Sequence, residues 1–161
     1  MVKRLWAPWR IDYILGEREN GCVFCRKFAE SSDAENFVVY RGERAGIIMN
    51  IHPYTNGHIM IIPYRHAGEL DDLEDEELAE MMFLTRKGVQ MLRRAMQPHG
   101  FNIGLNIGAA AGAGIGDHLH IHVVPRWQND TNFMPVLADV RVIPESLNDT
   151  YKRLREALQA K

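Results

Sequence analysis

Apolar residues along this chain recur with two different periods. Five short runs rich in β-branched and aromatic residues, Phe37–Tyr40, Ala45–Asn50, His58–Ile62, Phe101–Ile107 and His118–Pro125, are separated by breakers that include Gly42, Pro53, Asn56-Gly57 and Pro63. Runs of this length bounded by Gly, Pro and Asn are strand signals. The short spacing of the first three predicts an antiparallel meander. Between the third and fourth runs the period lengthens. Leu78, Met81, Met82, Thr85, Val89, Leu92 and Met96 fall at helical intervals, so this methionine-rich stripe is expected to face the core. The acidic stretch Asp71–Glu77 stands where negative charge suits a helix N-terminus, as a solvated helix start, and Arg93 and Arg94 suit the other end. A second, shorter helix is expected over Glu145–Leu158, with Leu147, Tyr151, Leu154 and Leu158 along one side. The pattern predicts an α+β fold: a mostly antiparallel five-stranded sheet, one long helix packed on it, and a short C-terminal helix.

Length and composition narrow this further. At 161 residues the chain is expected to form one domain, 1–161, with a short N-terminal segment (1–20) and a C-terminal extension (128–161). Trp6, Pro8 and Trp9 in the first segment are expected to pack over a neighbour. A net charge of −2 gives no electrostatic footprint for nucleic acid. No run reaches membrane-spanning length and the first residues lack a signal-peptide core, so a cytoplasmic protein without a membrane partner is expected. Cys22 and Cys25 are the only cysteines, too few for a disulfide framework and spaced as a chelating or redox pair.

The candidate chemistry lies in the last strand run. Residues 118–122 read His-Leu-His-Ile-His. On a strand, His118, His120 and His122 share one face and Leu119, Ile121 and Val123 the other, which puts three imidazoles on the wet side of a half-buried strand. Imidazole is the side chain best suited to proton transfer, nucleophilic attack and metal ligation near neutral pH. Just ahead lies Asn106-Ile107-Gly108-Ala109-Ala110-Ala111-Gly112-Ala113-Gly114-Ile115-Gly116-Asp117. Small residues let successive backbone amides approach an anion, so the loop is suited to hold a phosphate against the histidines.

These features together resemble the histidine triad (HIT) family of nucleotide-binding hydrolases and transferases. The resemblance rests on Asn50, on Gly57-His58-Ile59-Met60-Ile61-Ile62-Pro63-Tyr64-Arg65-His66, on the Gly-rich loop and on the triad, over roughly residues 20–127. The ends, Leu5-Trp6-Ala7-Pro8-Trp9-Arg10 and Pro125-Arg126-Trp127 with Asp130-Thr131-Asn132-Phe133, resemble bacterial members related to the diadenosine tetraphosphate phosphorylases. The resemblance implies a HIT fold and a homodimer whose two sheets join. It implies His120 as nucleophile, forming a nucleotidyl-histidine, with His118 and His122 orienting that ring and helping to hold the phosphate. Asn50 matches the position that bonds the ribose hydroxyls, and His58 one that supports the triad from behind. The implied nucleotide-binding set is Asn50, His58, Asn106, Gly112, Ala113, Gly114, Ile115 and His122. Cys22, Cys25, His66 and His118 match a structural zinc site, and no organic cofactor is implied. His52 and His99 match nothing and are expected in loops.

One departure bears on the reaction. Many family hydrolases carry Gln followed by Ser or Thr in the phosphate loop, where this chain has Ala113 and Gly114. The resemblance implies cleavage of dinucleoside polyphosphates such as diadenosine tetraphosphate, and this departure favours phosphate over water as acceptor. A hydrolase of nucleoside polyphosphates or phosphoramidates is the alternative, and a nucleotide-binding sensor is one of another class. A hydrolase using the triad as zinc ligands fits poorly. Side chains two residues apart on a strand are roughly 6.5–7 Å apart, whereas zinc–nitrogen bonds are about 2.0–2.1 Å.

Overall fold

The computed structural model describes residues 21–111, 118–130 and 143–160. The five apolar runs form one antiparallel sheet: β1 Val38–Arg41, β2 Ala45–Met49, β3 Ile59–Pro63, β4 Gly100–Leu105 and β5 Ile121–Arg126. Its order is β1-β2-β3-β5-β4, so the first three strands form the expected meander. The histidine strand, last in sequence, lies between β3 and β4. His122 is the register partner of Met60 on one side and of Gly104 on the other. A residue flanked on both sides by paired strands has little backbone freedom, which suits a site that must hold geometry.

Among the described residues, four α-helices pack around the sheet: α1 Val23–Ala29, α2 Asp33–Asn36, α3 Asp75–Met96 and α4 Leu147–Gln159. On one face Ile47, Met49, Ile59, Ile61, Leu119, Ile121 and Val123 pack with Met81, Leu84, Met91 and Leu92 of α3 and Leu154 of α4. Gly88 allows α3 to approach β3 closely, since a Cβ there would lie 2.6 Å from Cδ1 of Ile59. The opposite face carries Val38, Ile48, Met60 and Ile62 beneath Phe24 of α1.

Several expectations need correction. The buried stripe of α3 includes Leu84 and Met91, while Met82 is 60% exposed. Met82 lies one residue, about 100° of helix rotation, past Met81 and so beyond the edge of the buried face. The acidic stretch is not a single solvated helix start. Leu70–Asp72 forms a 3₁₀ turn, and α3 begins at Asp75 with a reciprocal cap between Glu74 and Glu77. Glu77 is buried and paired with Arg65 at 3.0 Å. Its carboxyl is held below the usual range mainly by the Glu74 backbone N–H, with Arg65 adding to this. Phe37 is not in a strand: it ends α2 in a left-handed conformation, φ 57°. Among the described residues, no helix is long and apolar enough to cross a membrane. The expectations for Trp6, Pro8, Trp9, the loop 112–117 and Phe133 fall outside the described residues.

Candidate active site and metal centre

Cys22 is the N-cap of α1 and Cys25 lies in its first turn. A helix opens at this pair, and its seven residues are too few for a helical period to show in sequence. One helical turn aims both sulfurs at the segment leaving β3 and at the approach to β5. The Cys22 Sγ lies 3.1 Å from Nδ1 of His118. The Cys25 Sγ lies 3.4 Å from Nδ1 of His66 and 3.5 Å from Nδ1 of His118. All four donor atoms fall within 4.8 Å of one another. Tetrahedral zinc bonds, about 2.3 Å to sulfur and about 2.0–2.1 Å to nitrogen, set such atoms about 3.5 Å apart. The four residues therefore fit a closed Cys₂His₂ site, and both cysteines are free thiols.

The chemistry of the donors agrees with the geometry. His118 Nε2–H donates to the Pro63 carbonyl oxygen at 2.8 Å, which leaves the Nδ1 lone pair for a cation. Burial pushes the His118 imidazole below its ordinary range, toward the neutral form that ligates. Burial and the adjacent Cys22 sulfur push the Cys25 thiol up, so its thiolate is disfavoured unless a cation shares it.

The triad departs from the simple strand expectation. β5 begins at Ile121, so His118 and His120 precede it, and both are buried, at 1% and 6% exposure. The alternation still holds, with Leu119, Ile121 and Val123 in the α3 core. The histidine side is covered because α1 lies over it. The His118 ring has both nitrogens engaged away from its neighbour, so it reaches His120 through the backbone instead. His120 Nδ1–H donates to the His118 carbonyl oxygen at 2.8 Å. A carbonyl can only accept, so neutral His120 carries its proton on Nδ1 and keeps its lone pair on Nε2.

His122 is set by a separate chain. The Tyr54 backbone N–H donates to His58 Nδ1 at 3.1 Å. His58 Nε2–H is then the donor to His122 Nδ1 at 3.0 Å, which leaves the proton of neutral His122 on Nε2. Burial, reinforced by His120, lowers the His122 pKa to about 4. The rings of His120 and His122 meet edge to face, centroids 4.7 Å apart. Adjacent imidazoles thus present opposite characters on their Nε2 atoms, a lone pair on His120 and an N–H on His122.

The remaining expected residues are placed as follows. His58 is 1% exposed and lies against His122 through the 3.0 Å bond just described. Asn50 is half-buried just past β2, its Oδ1 accepting from the His52 N–H at 2.8 Å and its Nδ2 3.4 Å from His58 Nδ1. Asn106 directly follows Leu105, the register partner of Ile121. Gly112, Ala113, Gly114 and Ile115 lie outside the described residues. His52 and His99 are in loops, and His99 Nδ1 accepts from the Gln128 N–H at 2.9 Å. Trp127 donates its indole N–H to the Met96 carbonyl at the end of α3. The expectations missed Phe24, buried between the cysteines, and Tyr54, whose ring lies 4.8 Å from that of His58. The sequence signals were the aromatic inside the Cys pair and the aromatic four residues ahead of His58.

The comparisons with known proteins fit this geometry. The HIT domain family model matches residues 31–129. The chain belongs to the HIT family. A curated HIT relative, the AP-4-A phosphorylase of Mycobacterium tuberculosis, is 40% identical over 161 aligned residues, covering 95% of this chain and 83% of that protein. An uncharacterized HIT-like protein of Methanocaldococcus jannaschii is 31% identical over 109 residues, covering 68% of this chain and 81% of its own length. Among solved HIT structures, a zinc-bound histidine triad family protein from Mycobacterium smegmatis gives a TM-score of 0.71. It is 32% identical and covers 86% of this chain and 94% of that one.

Proposed function

We propose that this HIT protein is an enzyme that cleaves dinucleoside polyphosphates such as diadenosine tetraphosphate, through a nucleotidyl group carried on His120 with inorganic phosphate as acceptor. The observation that carries this is the 2.8 Å bond from His120 Nδ1–H to the His118 carbonyl oxygen, which presents Nε2 as a nucleophile without a separate base. Similarity to an AP-4-A phosphorylase along 95% of the chain supports the substrate class.

In this reaction His120 Nε2 forms a bond to the α-phosphorus as the phosphorus–oxygen bond to the leaving nucleoside polyphosphate breaks. The leaving oxygen takes the electron pair, and the His122 Nε2–H is the nearby donor to it. The intermediate imidazolium keeps its Nδ1–H on the His118 carbonyl, whose dipole favours the positive charge. An oxygen of inorganic phosphate then attacks phosphorus, the nitrogen–phosphorus bond breaks, and His120 returns to its neutral form. Asn50, Asn106 and the amides of the loop Gly112–Ile115 are assigned to the nucleotide.

Cys22, Cys25, His66 and His118 would hold a structural zinc ion, which supplies cross-linking of α1 to the sheet and no bond-making step. The protein is assigned as a homodimer joined along β4. That strand is a sheet edge, and Ile103 and Leu105 on it are 49% and 36% exposed. Exposed apolar edges are sites of strand addition.

Product analysis tests the reaction. With diadenosine tetraphosphate and inorganic phosphate the expected products are ADP and ATP. AMP and ATP in amounts independent of phosphate would give the hydrolase reading instead. Tight binding without any product would indicate a sensor.

A further inference from the structure

We propose that Phe24 is a positioning residue that couples the Cys₂His₂ site to the His120 imidazole. The inference rests on the reading of His120 as the nucleophile. It starts from what holds that ring. The Nδ1 hydrogen bond fixes the tautomer but, as a single tether, leaves the ring able to pivot about it. His122 bounds one side, at 4.7 Å between centroids and 75°. Phe24 bounds the ring as well, at 5.2 Å and 62°. The same phenyl ring meets His118 edge-on, at 5.6 Å and 88°. Edge-to-face contacts at these separations are attractive and directional. Phe24 is 3% exposed, so no solvent gap lets it yield.

Phe24 has little freedom of its own if the metal is bound. It lies between the two cysteine ligands at the start of α1, so ligation of both sulfurs fixes the backbone on either side of it. The far end of α1 is secured independently. Arg41 donates from Nη1 to the Phe28 carbonyl at 2.7 Å and from Nη2 to the Glu30 carbonyl at 2.6 Å. Its Nε donates to Asp33 at 2.8 Å. Beneath that end, Gly46 of β2 leaves room for the Phe28 ring, which a Cβ would overlap. Helix α1 is thus anchored to the sheet by Arg41 at one end and by the metal ligands at the other. Only the first turn, which carries Phe24, depends on the ion.

The coupling therefore runs by two routes from one ion. His118, as ligand, offers its carbonyl to His120 Nδ1, and the cysteine turn presses Phe24 against the His120 ring. The first sets the tautomer and the second sets the ring's angle. A nucleophile misplaced by a fraction of an ångström to an ångström loses much of its rate while binding is little changed.

The test uses metal-loaded protein throughout. Phe24→Leu keeps an apolar side chain and removes the aromatic edge, and Phe24→Met serves the same purpose if the leucine variant does not fold. Ring-nitrogen NMR of ¹⁵N-histidine protein at fixed pH, without substrate, reports the tautomer and environment of His120. Exchange of Zn²⁺ for the larger thiophilic Cd²⁺ displaces the cysteine turn without emptying the site. In the wild type this exchange is expected to shift the His120 ring-nitrogen signals. In Phe24→Leu the zinc content is expected to stay at one per chain and the exchange to move those signals much less. With diadenosine tetraphosphate, kcat of the variant is expected to fall about tenfold or more while KM stays within about twofold. Wild-type signals indifferent to the exchange, equal shifts in wild type and variant, or an unchanged kcat in the variant would each overturn the proposal. A wild type with no turnover of diadenosine tetraphosphate would contradict the reaction alone, because the NMR arms need no substrate.

Discussion

His58 and His122 are joined nitrogen to nitrogen at 3.0 Å, and the direction of that bond is decided by a third group. The Tyr54 amide occupies His58 Nδ1, so the proton must lie on His58 Nε2 and the His122 proton on its own Nε2. A backbone N–H in a surface loop thereby fixes the tautomer of a ring in the candidate active site. Replacing His58 by Ala removes the acceptor of the Tyr54 N–H and the donor to His122. The expected result is a fall in kcat of about 100-fold, the lower range for a positioned acid–base group, with KM little changed. Steady-state kinetics check this, and a His58→Ala enzyme of normal kcat would show that His122 needs no fixed tautomer.

The pH dependence of stability follows from His122. Its folded pKa of about 4 lies below the ordinary 6.5, so the folded state keeps the ring neutral while the unfolded chain binds a proton. Its contribution is fully present above pH 6.5, declines as pH falls toward 4 and is constant below that. A shift of this size corresponds to up to about 3 kcal/mol, less to the extent that water reaches the half-buried ring. Urea unfolding of wild type and His122→Gln between pH 7 and 4 checks the difference. The wild type is expected to lose more stability than the variant across that window, and parallel curves would contradict the assignment.

Much of this arrangement was legible in the chain, and the illegible parts share a cause. The β1–β3 meander, the long helix and the alternation of Leu119, Ile121 and Val123 against the histidines all express local periodicity, which survives into the fold. Cys22, Cys25, His66 and His118 were legible through resemblance and do converge. Helix α1 was not legible, because seven residues cannot display a period and its stability comes from contacts with distant residues such as Arg41 and Gly46. That omission hid the burial of the triad, since α1 is what covers His118 and His120. The roles of Pro63 and Tyr54 were out of reach for a different reason. They act through backbone atoms, and any residue type offers those.

The candidate metal site of Cys22, Cys25, His66 and His118 leads to a stability prediction. Protein purified without added metal is expected to contain about one zinc per chain, and removal by a strong chelator is expected to lower Tm, because ion binding is linked to folding of α1 onto the sheet. Cys25→Ser is expected to show the same lowered Tm with chelator-insensitive melting. Metal analysis and thermal melts check both. Metal-poor protein whose Cys22 and Cys25 oxidise readily to a disulfide would contradict the site.

The exposed β4 edge leads to a prediction about assembly. Ile103→Lys places a charge on the strand assigned to the dimer contact, at a position 49% exposed in the single chain, where monomer stability should change little. Sedimentation analysis is expected to show a dimer for the wild type and a shift toward monomer for the variant. A monomeric wild type, or a variant of unchanged mass, would remove β4 as the contact.

The most direct test concerns the bond assigned to His120. Protein mixed with diadenosine tetraphosphate in the absence of phosphate, quenched without acid and read by intact mass spectrometry, should gain the mass of one adenylyl group, mapped to His120. His120→Asn should show no gain and should lose turnover by several orders of magnitude, as expected when a covalent route is removed. Normal turnover by His120→Asn, or an adduct on another residue, would contradict His120 as the nucleophile.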